Sequence, residues 1–241
     1  MKQHTIMSEL VGFLFVLPFL MVTNAGAGEL QHDIAHGGLL YDNWLKISQG
    51  TPPAKGTHPS YPKQAKKKGS TTWRCKECHG WDYKGKDGAY RKGSHFTGIK
   101  GIREAVGKDV DVIVAVLKDD THKLTDEMMS ADDFNSLALF VSQGQVDMDK
   151  YINPETREVK GNLEKGAGYF NTICARCHGL DGRKIKDMKV TIGKVANANP
   201  WETLHKIRNG QPGEEMPALR ALPVDIALDA LVYARTLPTS K

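Results

Sequence analysis

Beyond residue 27 the chain has no apolar run approaching the about 20 residues that a bilayer-spanning helix needs, so no membrane span is expected in the mature protein. Cysteine is scarce. The 241 residues contain four, all in Cys75-Lys-Glu-Cys78 and Cys174-Ala-Arg-Cys177, which leaves none for any other site. Acidic residues are sparse where basic ones crowd: residues 46–103 hold three Asp or Glu against fourteen Lys or Arg, a net of +11, whereas 104–150 hold eleven against four, a net of −7. Such a basic block can steer an acidic partner. A solvated lysine-rich loop at 63–68 is the plainer reading of part of it.

What is present begins with a leader. Lys2, an apolar run over 10–22 interrupted by Pro18, and Ala25-Gly26-Ala27 have the layout of a secretory signal with its cleavage site, so residues 1–27 are expected to be removed on export. An uncleaved anchor is the alternative. The length suits two small domains, placed at 28–150 and 151–241 with the boundary in the polar stretch 144–161.

Histidine follows each cysteine pair at once, giving Cys75-Lys-Glu-Cys-His79 and Cys174-Ala-Arg-Cys-His178, with 99 residues between the first cysteines. Cys-x-x-Cys-His is the local pattern of covalent haem, in which two thioether bonds hold the macrocycle and the adjacent histidine binds iron. An isolated Cys-x-x-Cys is equally a disulfide, a zinc site or a redox dithiol. The same histidine in the same place twice favours two haem c groups, held by Cys75, Cys78, Cys174 and Cys177, with His79 and His178 as proximal ligands. An exported haem protein is not expected to bind nucleic acid, despite its basic block.

Apolar spacing predicts helices over 34–47, 110–117, 131–142, 162–172, 201–208 and 224–236. Gly37 and Gly38 in the first allow a close crossing by another helix, as do Gly166, Phe170, Leu231 and Tyr233 between the segments at 162–172 and 224–236. Residues 48–72, rich in Pro, Gly and Lys, read as an insertion wrapping over the first haem. The order helix, pentad, loop, helix, loop, helix occurs twice, the mark of a tandem architecture.

Gly166-x-x-Tyr-Phe170, Cys174-x-x-Cys-His-Gly179, Gly213-Glu-Glu-Met-Pro217 and Leu231-x-Tyr233 together resemble a class I cytochrome c domain. Residues 38–144 resemble it less closely, because the insertion parts the first helix from its pentad. The whole is similar to periplasmic tandem two-haem cytochromes, a group that includes electron carriers and the thiosulfate dehydrogenase type. The resemblance implies an all-α fold of two class I cytochrome c domains, each wrapped around one covalent haem. It also implies a periplasmic location, since haem is joined to such pentads outside the inner membrane.

The second axial ligand decides much of a haem's potential. For the second haem the resemblance implies Met216, in Met-Pro ahead of the last helix, where class I cytochromes c carry their distal methionine; Met188 is the alternative thioether. The first half has no Met-Pro, and matching the two last helices leads from Met216 to Lys123 and its neighbour His122. His122 is the expected sixth ligand; Met128, Met129, His95, Lys123 and His36 are the alternatives. His32, His58 and His205 are read as surface or supporting residues, and Trp73, Trp81, Tyr83 and Trp201 as pocket walls or donors to the haem propionates.

These residues describe an exported dihaem cytochrome that moves electrons between redox partner proteins, an acidic one docking on the 46–103 region. The alternatives are a haem enzyme of the thiosulfate dehydrogenase or peroxidase kind, or a cytochrome subunit of a larger periplasmic oxidoreductase. Thiosulfate dehydrogenases use a cysteine as distal ligand, and this chain has none to spare.

Overall fold

The computed structural model describes residues 25–241, which form nine α-helices and no β-strand. Two isolated antiparallel bridges, Gly85 with Lys100 and Ile152 with Val159, pin loops. The expected leader lies outside the described residues except for Ala25-Gly26-Ala27, which form the first turn of α1 (Ala25–Asn43). That helix begins well before residue 34. Its first turns are exposed and present no apolar stripe, so hydrophobic period registers only the part that packs.

In the first half α1 leads through a short 3₁₀ turn, Trp44–Lys46, to the irregular stretch before α2 (Cys75–His79). Asp109 then caps α3 (Val110–Leu117) by accepting from the Asp111 and Val112 amides. A capping box between Ser130 and Asp133 starts α4 (Ala131–Leu139), which runs on through a π turn at Phe140–Gly144. Phe134, Leu137 and Ala138 form its buried face.

In the second half α5 (Leu163–Tyr169) continues through a π turn, Phe170–Cys174, straight into α6 (Ala175–His178). α7 (Ile192–Ala198) fills a stretch expected to be loop. It is short, and its sequence hides it: Thr191 caps it, while Gly193, a poor helix former, is required because the backbone carbonyl of Leu237 passes 2.2 Å from where a Cβ would sit. α8 (Pro200–Asn209) starts at Asn199, whose side chain accepts from the Glu202 amide, and α9 (Val224–Ala234) closes the chain.

The same crossing occurs in both halves. A Cβ on Gly37 of α1 would meet the Ser136 carbonyl of α4 at 1.9 Å, and a Cβ on Gly166 of α5 would meet the Asp229 carbonyl of α9 at 2.0 Å. Only glycine lets these backbones touch. The halves join through α1 and α8: Gly38 packs on Asn209, and the buried His205 has both ring nitrogens engaged, Nε2–H donating to the Gly38 carbonyl (2.9 Å) and Nδ1 accepting from the Tyr83 hydroxyl (2.9 Å). His205 is thus a core residue rather than a surface one. Arg220, also buried, donates to Asn209 Oδ1 (2.9 and 2.7 Å) and to the Gly144 carbonyl (2.8 Å), while Lys206 pairs with Asp42 (2.7 Å). Each buried charge at this seam therefore has its partner.

Candidate functional site

The two pentads share one local backbone. Each ends on a glycine in the left-handed half of conformational space, Gly80 at φ 77°, ψ 163° and Gly179 at φ 78°, ψ 158°. In each, that glycine's amide donates into the helix, to Lys76 at 3.0 Å or Ala175 at 2.8 Å, and a later amide returns to the histidine carbonyl, Gly85 to His79 at 2.8 Å and Lys184 to His178 at 3.0 Å. One helical turn thus holds two thiols and a histidine at fixed offsets in both halves.

The thiols are free. Burial pushes those of Cys75 and Cys78 up to about 12 and that of Cys174 to about 11. Within the first pentad Lys76 and Glu77 are buried as an ion pair, and Glu77 also accepts from His95 Nδ1 (2.8 Å). Burial opposes the charge on Glu77, but the hydrogen bonds from His95 and Lys76 bring its carboxyl down to about 2.

His79 donates from Nδ1 to the Lys100 carbonyl (2.8 Å), leaving Nε2 as its free lone pair. His122 donates from Nδ1 to the Val116 carbonyl (2.9 Å), with Asp119 Oδ1 beside it at 3.2 Å. The structure brings these two rings together, with centroids 6.2 Å apart and planes inclined by 31°. Burial, opposed by the bond to Lys100, lowers His79 to about 4. Of the other candidates for the sixth position, His95 is bound to Glu77, His36 to Asp133 (2.8 Å), Met129 is fully buried in the core, and Met128 is half-buried against it. Lys123 points into solvent from a left-handed backbone, φ 57°.

In the second half His178 Nδ1 is buried with no partner among the described residues, unlike its counterpart His79. Met216 is half-buried against the core on a loop tied to α8 by Leu219 N to the Ile207 carbonyl (2.9 Å) and by Arg208 to the Leu219 and Leu222 carbonyls (3.2 and 2.7 Å). The indole N–H groups of Trp73 and Trp201 are likewise buried and unpartnered among the described residues. Trp81 and Tyr83, by contrast, sit against His205 in the seam between the halves, and the ammonium groups of Lys76 and Lys206 each lie 5.3 Å from the Trp81 ring centre.

Residues 161–233, from just before α5 to within α9, match the family model described as "Cytochrome C oxidase, cbb3-type, subunit III". The match supports a c-type cytochrome. That implies an electron-transfer protein with covalent haem c and redox protein partners. No curated protein and no solved structure gives a significant match. No described helix is long and apolar enough to cross a membrane. The cytochrome match covers the half that holds Cys174, Cys177, His178 and Met216.

Sequence reasoning about this chain missed the residues that support the pentads. Glu77 lies inside Cys-x-x-Cys but reads as a surface charge. Asp119 shapes the turn that bears His122, its side chain accepting from the amides of Thr121 (2.8 Å) and His122 (2.9 Å). Nothing local signals that His58 and Ser60 reach the same turn.

Proposed function

We propose that the chain is an exported cytochrome with two haem c groups that passes electrons between redox proteins. Two class I domains, 28–150 with its insertion and 151–241, carry one haem each; the repeated glycine crossing and the repeated pentad backbone support this division. Cys75 and Cys78 hold the first haem between His79 and His122, and Cys174 and Cys177 hold the second between His178 and Met216. When bound, each haem supplies an iron that takes up and releases one electron.

The observation that carries this reading is the His79–His122 pair. The ring centres lie 6.2 Å apart. Two imidazoles this close would each be able to offer a ring nitrogen to one iron, which would supply one-electron chemistry there. Each Nδ1–H is bound to a backbone carbonyl, which fixes the ring and keeps Nε2 as the ligand atom, the usual support of a metal-bound histidine. Trp73 and Trp201 offer indole N–H donors to haem propionates.

A thioether ligand raises haem potential relative to a second histidine, so electrons run from the first haem to the second. The buried seam between the halves fixes the relation of the two sites. Lys84, Lys86, Arg91 and Lys100 of the basic block are neutralised by Asp149, Asp87, Glu155 and Glu104. Lys55, Lys63 and Lys66 in the insertion are exposed and make no ion pair among the described residues, and they form the docking charge for an acidic partner.

Spectroscopy of the exported holoprotein tests the reading. Two haems per chain are expected, both low-spin, with a methionine-to-iron band lost in Met216→Ala and a bis-histidine signal lost in His122→Ala. A resting high-spin ferric haem favours an enzyme instead. The matched description names an oxidase subunit, which favours a second reading as the cytochrome subunit of a larger oxidoreductase. A native complex much larger than the chain in size-exclusion chromatography supports that version.

A further inference from the structure

The insertion at 48–72 is not an idle loop. Its start is tied to the segment before α4 by Ser48 Oγ–H donating to the Met128 carbonyl (2.6 Å) and by the Thr51 amide donating to the Glu127 carbonyl (2.6 Å). Its middle reaches the turn that bears His122: His58 Nε2–H donates to the His122 carbonyl (2.8 Å), and Ser60 Oγ–H donates to the Thr121 carbonyl (2.7 Å). His58 itself is rigid. Its Nδ1 accepts from the Ser60 amide (3.1 Å), its own amide donates to Thr72 Oγ1 (2.9 Å), and its ring packs edge-on against Trp73 at 4.3 Å, beside the first pentad.

The turn needs this hold. It runs through Lys123 at φ 57°, a backbone region that costs a side-chain-bearing residue energy, and from its own side it is held by Asp119, by Val116 and by the Leu124 amide donating to the Leu117 carbonyl (3.4 Å). Val116 fixes the direction of the His122 ring, while His58 and Ser60 fix the backbone from which the ring springs.

We propose that His58 and Ser60 are positioning residues that latch His122 opposite His79, so that the first haem stays six-coordinate only while the insertion is seated. The inference rests on the reading of His122 as sixth ligand. It gives the insertion a function, closing the first iron to external ligands.

The test is the rate at which cyanide binds the first haem of the ferric holoprotein, with the second haem as internal reference. Removing both donors in His58→Ala/Ser60→Ala is expected to raise that rate roughly tenfold, the effect of two lost hydrogen bonds, and to shift the first haem's potential while the second is unchanged. His58→Gln, which keeps a donor near the same position, is expected to restore most of the slow rate. Circular dichroism checks that the double variant is folded, and Ser60→Ala alone supplies a milder variant. An unchanged cyanide rate and potential in the folded double variant overturn the latch. If His122→Ala also leaves the first haem low-spin and slow to react, the ligand assignment itself has failed; if His122→Ala opens the haem and the latch variants do not, only the latch has.

Discussion

Alanine at Gly166 and at Gly168, two positions apart in α5, separates backbone contact from helix propensity. Both substitutions gain the same intrinsic term, about 0.5–1 kcal/mol for replacing glycine inside a helix. They differ in what the new methyl meets. At Gly168 there is nothing within 4 Å; at Gly166 the Asp229 carbonyl oxygen lies at 2.0 Å, its carbon at 2.6 Å and Tyr233 Cβ at 3.1 Å. The obstruction is backbone and cannot rotate away, so α5 and α9 must part by about 1 Å, and overpacking of that kind costs about 1–3 kcal/mol or more. Propensity cancels in the comparison, so Gly168→Ala should be the more stable of the two by that amount. With a guanidinium slope of about 4–6 kcal/mol/M, the unfolding midpoints should lie roughly 0.2–0.8 M apart, with Gly168→Ala above the parent and Gly166→Ala the lower of the two. The assay is equilibrium unfolding of the holoprotein followed by far-ultraviolet circular dichroism. Coincident midpoints would refute the close crossing, and with it the packing that aims α5 at the second pentad.

Three further outcomes follow from the seam between the halves. Burial lowers His205 to about 4, against about 6.5 unfolded, despite the nearby Asp42 and the bond to Gly38. Between those values the unfolded chain binds a proton that the folded chain refuses, so stability is complete above about pH 6.5 and falls toward pH 4 by on the order of 3 kcal/mol. His205→Gln should flatten that slope in denaturant titrations run from pH 7 to 4. Arg220→Ala strips Asn209 Oδ1 and the Gly144 carbonyl of their buried donor and should cost about 2–4 kcal/mol; Arg220→Lys should recover little, because an ammonium cannot reproduce the fork, and thermal unfolding compares the two. Tyr83→Phe leaves His205 Nδ1 buried without a donor and should cost about 1–2 kcal/mol by the same measurement.

Much of the helical layout was legible in order. The segments at 110–117, 131–142 and 224–236 carry apolar stripes strong enough to place α3, α4 and α9 within a few residues. The glycines of the crossings were legible too, because a glycine amid helical spacing calls for a close neighbour. What escaped was whatever lacks a stripe: the exposed start of α1 and the short α7, defined by Thr191 and by a carbonyl from the far end of the chain. His205 looked like any polar residue on a helix, since its burial comes from Tyr83, 122 residues away.

The pentads belong wholly to the sequence. Two thiols and a histidine within five residues fall on one helical turn whatever surrounds them, so their spacing alone states what they can hold. The sixth position is different in kind. Several side chains near the first pentad could reach an iron as far as sequence tells, and only packing sends His95 to Glu77, His36 to Asp133 and Met129 to the core, while setting the His122 ring 6.2 Å from that of His79. His58, 64 residues from His122, then holds the turn. Chemistry set by neighbours along the chain can be read from order; which distant side chains come near the first pentad is decided by tertiary contacts.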